Sequence, residues 1–579
     1  MKKFFEAMVH LINMGNPIHI VWAAVIFLST IILMVLHRVF KNDKRKICIW
    51  RCCCAIPLVS CVIHFAIFCM GPAWQYLLGH YFLLYVPSVI IALWGVFGIW
   101  KNTYYILAVF SSATSLLLGI YFSTGSPHIA NYTRLGWSDA FSKTCDYLEE
   151  NYILKDWKEL DFEQIKKELL PVVEKAEKEN DFESYYKAVE QLVYKLHDGH
   201  AWIELYEADA QRVGLYRGLC NDYGFCMVTL DDGQTIAVNV EDGCEAMEKG
   251  ITEGCVITKW NGIPIEETEV DMANANIPIV SNEELLKPII LSGTGEETVS
   301  VSFIDEEGKE KEITVIALQY DDVEGIEAVF AYTARKDETI GELVHVNDWN
   351  SNYETKMLTD DCGYIMLTEE STNEWEDIKG YLTGNHKYAR EMFREKLRAL
   401  EAQGMTKLVI DLRGNGGGFD EIGCALVDLL ATEDFLSQSF GIIKNGRFER
   451  MSDHYVVADG EFADLEVVVL TNLHCGSAGD GTALYLSKLP NVTLAGISDS
   501  SGCNQEIGGA CYLPGGIVAA FPSGLILNEE SEPNIDIKAN RISRNPNEVY
   551  IPFDKDAAMQ MFSGEGDYEI EWAIEFLEQ

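Results

Sequence analysis

The N-terminal part of the chain is dominated by long apolar runs. Four stretches nearly free of charge occupy residues 18–40, 52–70, 81–100 and 104–122. A helix that crosses a bilayer needs roughly twenty consecutive, mostly apolar residues. The pattern therefore predicts an all-α membrane region over residues 1–123, with four transmembrane helices, and it makes the lipid bilayer a partner of the protein.

Basic residues between these runs predict the orientation. Lys41, Lys44, Arg45, Lys46 and Arg51 follow the first run, and Lys101 separates the last two runs. Short loops rich in Lys and Arg stay on the cytoplasmic side of a membrane. Four spans then place both ends outside the cytoplasm. We expect a multi-pass protein of the cell membrane whose large C-terminal part is extracytoplasmic.

Beyond the membrane region the pattern becomes helical and then β. Over 182–196, apolar residues recur every three or four positions, which predicts an amphipathic helix that ends just before His197-Asp-Gly-His200. A helical segment is expected over 124–212. A β module is expected over 213–320, because short apolar runs alternate there with turns such as Asp232-Gly233 and Asn261-Gly262. Its predicted strands are 225–229, 235–240, 256–260 and 297–303.

Strands and helices alternate over the last part of the chain, 321–579. The predicted strands are 364–368, 407–412, 465–470 and 492–496, and the predicted helices are 378–403, 421–431 and 478–489. Such alternation favours an α/β core in which helices cover both faces of a sheet.

Charge and cysteine content exclude some classes of partner and site. Residues 1–123 hold nine Lys and Arg against two acidic residues, so the remainder carries 36 basic and 87 acidic residues. Nucleic acid is not expected as a partner, because phosphate binding needs clustered cations. The ten cysteines beyond residue 123 form no C-x-x-C pair, which favours buried free thiols. Outside the cytoplasm, a pair such as Cys503 and Cys511 can also oxidise.

A glycine-rich loop follows the apolar strand at 407–412. It has the sequence DLRGNGGG over 411–418, and such a loop can turn sharply and direct backbone N–H groups at an anion. A dinucleotide fingerprint needs a glycine at the position of Phe419, and no G-K-[ST] follows. No cofactor is therefore predicted. A turn that merely closes the strand is the simpler alternative.

The segment HCGSAGDG at 474–481 places Ser477 between a strand and a helix. By itself, a serine at this position is typical of a helix N-cap. A catalytic serine needs a base, and His200 is a candidate. Zinc binding by His197 and His200 is disfavoured, because no H-E-x-x-H motif and no third ligand is visible. Cys475 with His474 as its base is a further alternative, disfavoured because sequence neighbours rarely meet in this way.

Together these blocks resemble the S41 serine peptidases, which include tail-specific and C-terminal processing proteases. The resemblance rests on the 411–418 loop, on Ser477-Ala-Gly-Asp480, and on Leu196-His-Asp-Gly-His200, which is similar to the tricorn and retinoid-binding-protein-like branch. It implies a crotonase/ClpP-like α/β catalytic core with a helical N-terminal subdomain and no cofactor or metal. It assigns Ser477 as nucleophile and His200 as base, with an oxyanion hole formed from Gly416, Gly417 and Ala478.

Two departures from the family leave questions open. In the Ser/Lys branch a lysine base follows the nucleophile by 25 residues, but Gly502 stands there in this chain, so the resemblance favours His200. The family's acid segment reads roughly E-x-x-G-x-x-P-D, whereas residues 528–536 lack that glycine and carry Asn534. Glu530 is the first candidate for the acid that orients His200. Glu529 and Asp536 are alternatives.

The β module resembles a PDZ domain. Tyr223-Gly224-Phe225 is similar to its carboxylate-binding loop, and residues 250–262 are similar to a second PDZ segment in which Cys255 replaces an aspartate. The resemblance assigns Gly224 and Phe225 to peptide binding. We expect a membrane-anchored serine endopeptidase that takes polypeptides by their exposed C-termini. The alternative is a peptide-binding membrane sensor that does not cleave; the oligomeric state is left open.

Overall fold

A computed structural model describes most of the chain beyond residue 123. The described residues are 17–40, 42–64, 129–205, 221–270, 283–293, 296–320, 326–345, 353–383, 386–444, 447–538, 541–543, 547–564 and 566–579, together with isolated positions 89, 93, 113, 116 and 117. The predicted membrane runs at 81–100 and 104–122 lie outside them, apart from those isolated positions.

Three helices form the described N-terminal part: α1 (Pro17–Phe40), α2 (Lys44–Cys53) and α3 (Ile56–His64). Among the described residues, the stretch Lys44–Ile63 is long and apolar enough to cross a membrane, with a mean hydropathy of 1.8, and Phe27–Phe40 is a shorter apolar helix. The expected basic loop is partly helical, because α2 begins at Lys44, where the Asp43 carboxylate caps Arg45 N–H (3.0 Å). One candidate span is thus found, and the four-span topology stays a prediction.

The remaining elements follow in chain order. The first group is β1 (Ile129–Asn131), α4 (Trp137–Asn151), α5 (Lys155–Lys158), α6 (Phe162–Glu179), α7 (Phe182–Tyr194), β2 (Trp202–Leu205), β3 (Cys226–Thr229), β4 (Thr235–Val238), α8 (Glu245–Glu248), β5 (Val256–Trp260), β6 (Ile263–Pro264), α9 (Glu283–Leu291), β7 (Thr298–Ile304), β8 (Glu310–Ile316) and α10 (Ile326–Val344). The second group is β9 (Tyr353–Met357), β10 (Cys362–Leu367), α11 (Glu374–Thr383), α12 (Lys387–Glu401), β11 (Lys407–Asp411), α13 (Asp420–Leu430), β12 (Phe435–Lys444), β13 (Arg447–Val456), β14 (Glu466–Leu470), α14 (Ala478–Ser487), β15 (Val492–Gly496), β16 (Glu506–Tyr512), β17 (Ile517–Leu527), β18 (Asp536–Lys538), β19 (Arg541–Ser543), β20 (Val549–Tyr550), α15 (Lys555–Ser563) and α16 (Tyr568–Leu577).

The chain divides into two compact units, of which the first comprises Met1–Lys155, Asp161–Tyr185 and Ile507–Gly524. In this unit β1 pairs in parallel with β16, and α4 packs on α6. Glu177 of α6 accepts the Trp137 N–H at the start of α4 (2.8 Å), and the Trp137 ring stacks on Tyr185. The predicted amphipathic helix is confirmed as α7, which ends at Tyr194, three residues before His197.

The second unit comprises Asp156–Leu160, Tyr186–Glu506 and Leu525–Gln579. Its central sheet has the order β20-β15-β14-β11-β10-β9, with β9 antiparallel to an otherwise parallel set. Alternate residues of β11 and β14 point to opposite faces, as the two-residue period of a strand requires. Leu408 and Val467 pack with helices α12, α13 and α14, while Val409 and Val468 pack with α16. The predicted α/β core with both faces covered is confirmed.

The β module is an antiparallel sheet in the order β3-β4-β5-β7-β8, with β6 added on β5. Phe225, Trp260 and Phe303 lie in its hydrophobic core, and α9 packs on β3. The four predicted strands are confirmed, but β8 was not predicted.

A long hairpin of β12 and β13 completes the second unit. Phe435 pairs with Val456, and β12 also pairs with residues 525–527 of β17. The sequence pattern did not predict this hairpin, and it predicted one helix over 378–403 where α11 and α12 are separate.

Candidate active site

Ser477 occupies a strained turn between β14 and α14. Its backbone has φ 55° and ψ −126°, and its side chain makes no capping hydrogen bond to the helix. A non-glycine residue with positive φ is uncommon and stores strain that the surrounding structure must offset. The N-cap role that its position suggests is therefore not what the structure shows. The Ser477 hydroxyl therefore does not cap α14.

Backbone hydrogen bonds hold this turn from two sides. Ser477 N–H donates to the carbonyl oxygen of Cys503 (2.7 Å), and Gly476 N–H donates to that of Asn415 (2.9 Å). Gly481 N–H of the first helical turn donates to the Ser477 carbonyl oxygen (3.2 Å). The serine is thereby fixed between the glycine-rich loop and the segment after β15.

The glycine-rich loop packs directly on the serine. At Gly417 (φ +95°), an added Cβ would lie 2.5 Å from Ser477 Cβ and 2.8 Å from Ala478 N, so only glycine fits. Gly417 N–H already donates to Asn415 Oδ1 (2.8 Å). Within the described part of the chain, the N–H groups of Gly416 and Ala478 donate to no acceptor. Of the three predicted oxyanion donors, these two are available.

Arg413 anchors the start of the glycine-rich loop. Its buried guanidinium binds Asp411 (2.8 Å) in the strand and Asp567 (2.8 Å) and Glu569 (2.9 Å) near α16. Burial alone would raise the pKa of Asp567, but the Arg413 charge overrides that effect and lowers it to about 2. Three carboxylates around one arginine thus fix the direction in which the loop leaves β11.

His200 ends a tight turn that follows α7. Asp198 Oδ1 accepts the His200 backbone N–H (2.9 Å), and the ring Nδ1–H donates to the carbonyl oxygen of Gln505. A carbonyl oxygen only accepts, so Nδ1 carries the hydrogen and Nε2 of the neutral ring is left with its lone pair. Among the described residues, no hydrogen bond joins Ser477 Oγ to this ring.

The segment 503–505 connects the two candidate catalytic residues. Its first carbonyl, from Cys503, holds Ser477 N–H, and its last, from Gln505, holds the His200 ring. The Gln505 side chain is itself fixed, because Oε1 accepts Ile526 N–H (2.7 Å) and Nε2 donates to the Ile526 carbonyl oxygen (3.2 Å). One short stretch therefore positions both groups.

The three carboxylates predicted to orient His200 are either exposed or bound to other residues. Glu529 and Glu530 are exposed in the turn after β17, where Glu530 N–H donates to Asn528 Oδ1 (3.0 Å) and the Glu529 carboxylate lies 3.9 Å from Lys488 Nζ. Asp536 is buried and binds Lys158 Nζ (2.6 Å). None of the three is hydrogen-bonded to the His200 ring in the described residues, so the orienting role of Glu530 stays a prediction.

Sequence reasoning did not single out the carboxyl that lies beside the site, Asp480. It is fully buried, three residues after Ser477, and Oδ2 accepts Cys503 N–H (2.9 Å). Burial raises the pKa of Asp480 to about 7, while the charge of His200 opposes that rise. Burial likewise raises the pKa of Asp420 to about 6, again opposed by His200. Asp480 stands in the serine motif itself, whereas Gln505 acts through a backbone carbonyl, which carries no sequence signal.

The alternative nucleophile finds little support. Cys475 is fully buried in the hydrophobic core around the central sheet, and this burial raises the pKa of its thiol well above the ordinary value. A thiolate, the reactive form, is therefore disfavoured. Burial also lowers the pKa of the neighbouring His474. Cys503 and Cys511 are both free thiols.

The predicted peptide-binding loop of the β module is already engaged. Gly224 N–H donates to Asp222 Oδ1 (2.7 Å), and the Asp222 carboxylate also binds Arg335 Nε (2.8 Å) and Tyr320 OH (2.8 Å). The Phe225 side chain is buried in the core of the module, near Trp260. An internal carboxylate thus occupies the loop N–H where a peptide C-terminus is expected.

Residues 361–531 match the model of peptidase family S41. The chain carries a serine-type peptidase domain of this family. The S41 match contains the glycine-rich loop, Ser477 and the 503–505 segment, whereas His200 precedes it.

Solved structures extend the comparison to most of the chain. Mature CPAF complexed with lactacystin is similar with a TM-score of 0.50 and 13% identity, over 76% of this chain and 97% of that chain. The photosystem II D1 C-terminal processing protease matches at 14% identity over 75% of this chain and 99% of its own, with a TM-score of 0.33. The tricorn protease matches at 15% identity over 77% and 37%, with a TM-score of 0.32. The likeness to CPAF shows a shared fold. The comparison with curated proteins found no match to this sequence.

Proposed function

We propose that this S41 protein is a membrane-associated serine endopeptidase in which Ser477 is the nucleophile and His200 the general base. The observation that carries the proposal is the strained Ser477 turn. In this turn the Ser477 hydroxyl makes no capping bond, and the turn packs against the glycine-rich loop. The turn is also hydrogen-bonded to the 503–505 segment, which holds the His200 ring. A serine in a sharp strand-to-helix turn is a recurring arrangement for a nucleophile.

The tautomer of His200 suits the base role. Nε2 takes the proton from Ser477 Oγ as the oxygen bonds to the peptide carbonyl carbon, and the tetrahedral oxyanion is held by the N–H groups of Ala478 and Gly416. Gly417 allows the close approach of the loop. The protonated ring then returns the proton to the leaving amine, and a water molecule attacks the acyl-enzyme by the same route.

The positive charge that forms on His200 needs compensation. A backbone carbonyl orients the ring, and a charged His200 interacts favourably with the ionised forms of Asp480 and Asp420. This division differs from a triad in which one carboxylate does both. A substrate-bound state in which Ser477 Oγ and Nε2 close to hydrogen-bond distance completes the scheme, because catalytic hydrogen bonds are often long in free enzymes.

Digestion of an unfolded protein tests the reaction. Purified full-length protein in detergent should cleave casein, Ser477→Ala should abolish cleavage, and Cys475→Ala should retain it. Cleavage that survives Ser477→Ala but not Cys475→Ala would assign the nucleophile to the cysteine instead.

One observation favours a second function. The missing hydrogen bond between Ser477 and His200 is what a peptide-binding membrane sensor without catalysis would also show. A protein that binds casein-derived peptides in fluorescence anisotropy but releases no new N-termini over many hours would support the sensor.

Recognition of exposed C-termini is proposed for the β module, which resembles a PDZ domain. A substrate carboxylate would replace Asp222 at Gly224 N–H, one anion exchanging for another. A charged hydrogen bond contributes about 1.5–3 kcal/mol, so amidating the C-terminus of a peptide substrate should raise KM at least ~10-fold with kcat unchanged. Equal KM values for the peptide with a free C-terminus and the amidated peptide would contradict recognition of C-termini by the β module.

The membrane topology is proposed from the four apolar runs and the basic residues between them. The S41 domain would then be extracytoplasmic. Protease added to intact cells should degrade a C-terminal epitope tag, whereas protection of the tag until the cells are lysed would place the domain inside.

A further inference from the structure

A buried ion pair lies beneath the turn that carries His200. Lys158, at the end of α5, has a side chain with 0% exposure, and its Nζ lies 2.6 Å from Asp536 Oδ1. Trp157 Nε1 donates to the other carboxylate oxygen, Oδ2 (2.8 Å). Both oxygens of Asp536 are thus bonded, as a buried charge requires if its desolvation is to be offset.

Lys158 also holds the turn itself. Its Nζ donates to the carbonyl oxygen of His197 (2.6 Å), the residue with which the turn begins. His197 has a φ of 45°, a conformation that costs energy for a residue other than glycine. Lys158 therefore fixes the strained entry of the turn, and Asp198 fixes its exit at His200 N–H.

Asp536 connects the same ion pair to the segment that holds the nucleophile. Its backbone forms an antiparallel bridge with Cys503, whose carbonyl oxygen accepts Ser477 N–H. Two residues later, the Gln505 carbonyl holds the His200 ring. The path from His197 through Lys158 and Asp536 to Cys503 thus consists of one hydrogen bond, one ion pair and one backbone bridge.

We propose that Lys158 and Asp536 are positioning residues, which set the distance between His200 and Ser477 without touching the substrate. The inference rests on the proposed function, because it concerns the geometry of that base and nucleophile. It gives Asp536, predicted as a possible partner of the His200 ring, a different role exerted through Lys158.

Single substitutions at this pair leave one buried charge unpaired and risk unfolding the protein. The informative variant is Lys158→Met with Asp536→Leu, which removes both charges together and replaces them with apolar side chains. Exchanging a buried ion pair for apolar residues is often neutral for stability. The double variant should therefore fold, with a Tm near that of the wild type, and yet lose alignment of the base.

Misplacement of a catalytic group by about 1 Å can cost ~10²-fold in rate. We expect kcat for peptide cleavage to fall between ~10-fold and ~10²-fold in the double variant, with KM unchanged. Lys158→Arg, which keeps the charge and the donors, should retain more of kcat than the double variant. The matched control is Arg394→Met, which removes a buried arginine of α12 that binds Asp459 (2.6 Å) and Glu461 (2.7 Å). It should leave kcat at the wild-type value.

The outcomes separate this inference from the proposed function. If the folded double variant cleaves with wild-type kcat while Ser477→Ala is inactive, the ion pair is structural only and the inference fails. If Ser477→Ala is as active as the wild type, the proposed function fails first. An equal fall in kcat for the double variant and Arg394→Met would also overturn the inference, because a general loss of stability would then explain both.

Discussion

The turn of Ser477 and the turn of His200 are built in different ways. Ser477 is held by backbone hydrogen bonds at the ends of parallel strands, where Gly417 and Asn415 close against it. His200 is held by buried side chains distant in sequence, Lys158 and Asp536, and by one carbonyl oxygen. The proposed nucleophile thus depends on close backbone packing, and the proposed base depends on satisfied buried polar groups. Substitutions should therefore damage the two halves in distinguishable ways.

The largest expected effect comes from disturbing the close packing around Ser477. Gly417→Ala places a Cβ 2.5 Å from Ser477 Cβ, so the loop or the serine turn must move. Loss of one oxyanion donor alone costs ~10²–10³-fold in kcat, and we expect at least that loss here. Peptide hydrolysis at saturating substrate measures it.

The control for this variant is a glycine that also has a positive φ but lacks the contact. Gly243 has a φ of +75° and nothing within 4 Å of an added Cβ. Gly243→Ala should lower stability slightly and leave kcat intact. Equal losses of activity in the two variants would show that positive φ, rather than the contact with Ser477, is what matters.

A smaller effect is expected from changing the polar groups that hold the His200 ring. Gln505→Leu removes both hydrogen bonds to Ile526 but keeps the carbonyl that binds the His200 ring. The carbonyl should become less fixed, and we expect kcat to fall ~10-fold with KM unchanged, since catalysis is sensitive to small misalignments. Asn491→Leu, which removes a side-chain bond to the Leu465 carbonyl oxygen (2.6 Å), is the control. A fall in KM or no change in kcat for Gln505→Leu would argue against the orienting carbonyl.

Glu530→Gln tests whether Glu530 is the acid that orients His200. Because Glu530 is exposed and, in the described residues, makes no hydrogen bond to His200, its substitution should change kcat by no more than ~2-fold, as expected for a surface site. Steady-state kinetics across pH 6–9 measures this. A loss of ~10²-fold or more would instead support the triad role that the family resemblance implies.

The smallest effect concerns stability. Glu370 is fully buried, accepts Thr482 Oγ1–H (2.6 Å), and burial raises its pKa to about 8. Its folded pKa exceeds the unfolded value of about 4.3, so the folded state binds the proton more tightly and stability falls as pH rises through this range toward 8. Glu370→Gln cannot ionise and should gain ~2–4 °C in Tm at pH 8 relative to the wild type, with less difference at pH 5. Glu529→Gln, at an exposed site, should show no such pH-dependent difference.

The surroundings of Ser477 could be predicted from the sequence more fully than those of His200. Buried strands such as β11, β14 and β15 are continuous apolar runs, so their pattern identifies them, and the glycine-rich loop and Ser477 follow directly from their ends. The hairpin of β12 and β13 was missed because β13 alternates exposed and half-exposed positions, a weak signal for a buried strand. Two separate helices were merged because both have amphipathic periodicity.

The support of His200 could not be predicted from local pattern. Lys158 and Asp536 are charged residues whose burial arises only from the tertiary structure, and the Gln505 carbonyl is a backbone group common to every residue type. Family resemblance supplied His200 itself. It could not supply this chain's own means of holding it, because the acid segment at 528–536 departs from the family pattern.

The central claim is that His200 activates Ser477. The most direct measurement is the second-order rate of labelling by a fluorophosphonate probe, with the labelled residue identified by peptide mass spectrometry, in the wild type, Ser477→Ala and His200→Gln. We expect a single label on Ser477, none in Ser477→Ala, and a rate at least ~10²-fold lower in His200→Gln, the contribution expected of a general base. Labelling of another residue, or an unchanged rate in a folded His200→Gln protein, would contradict it.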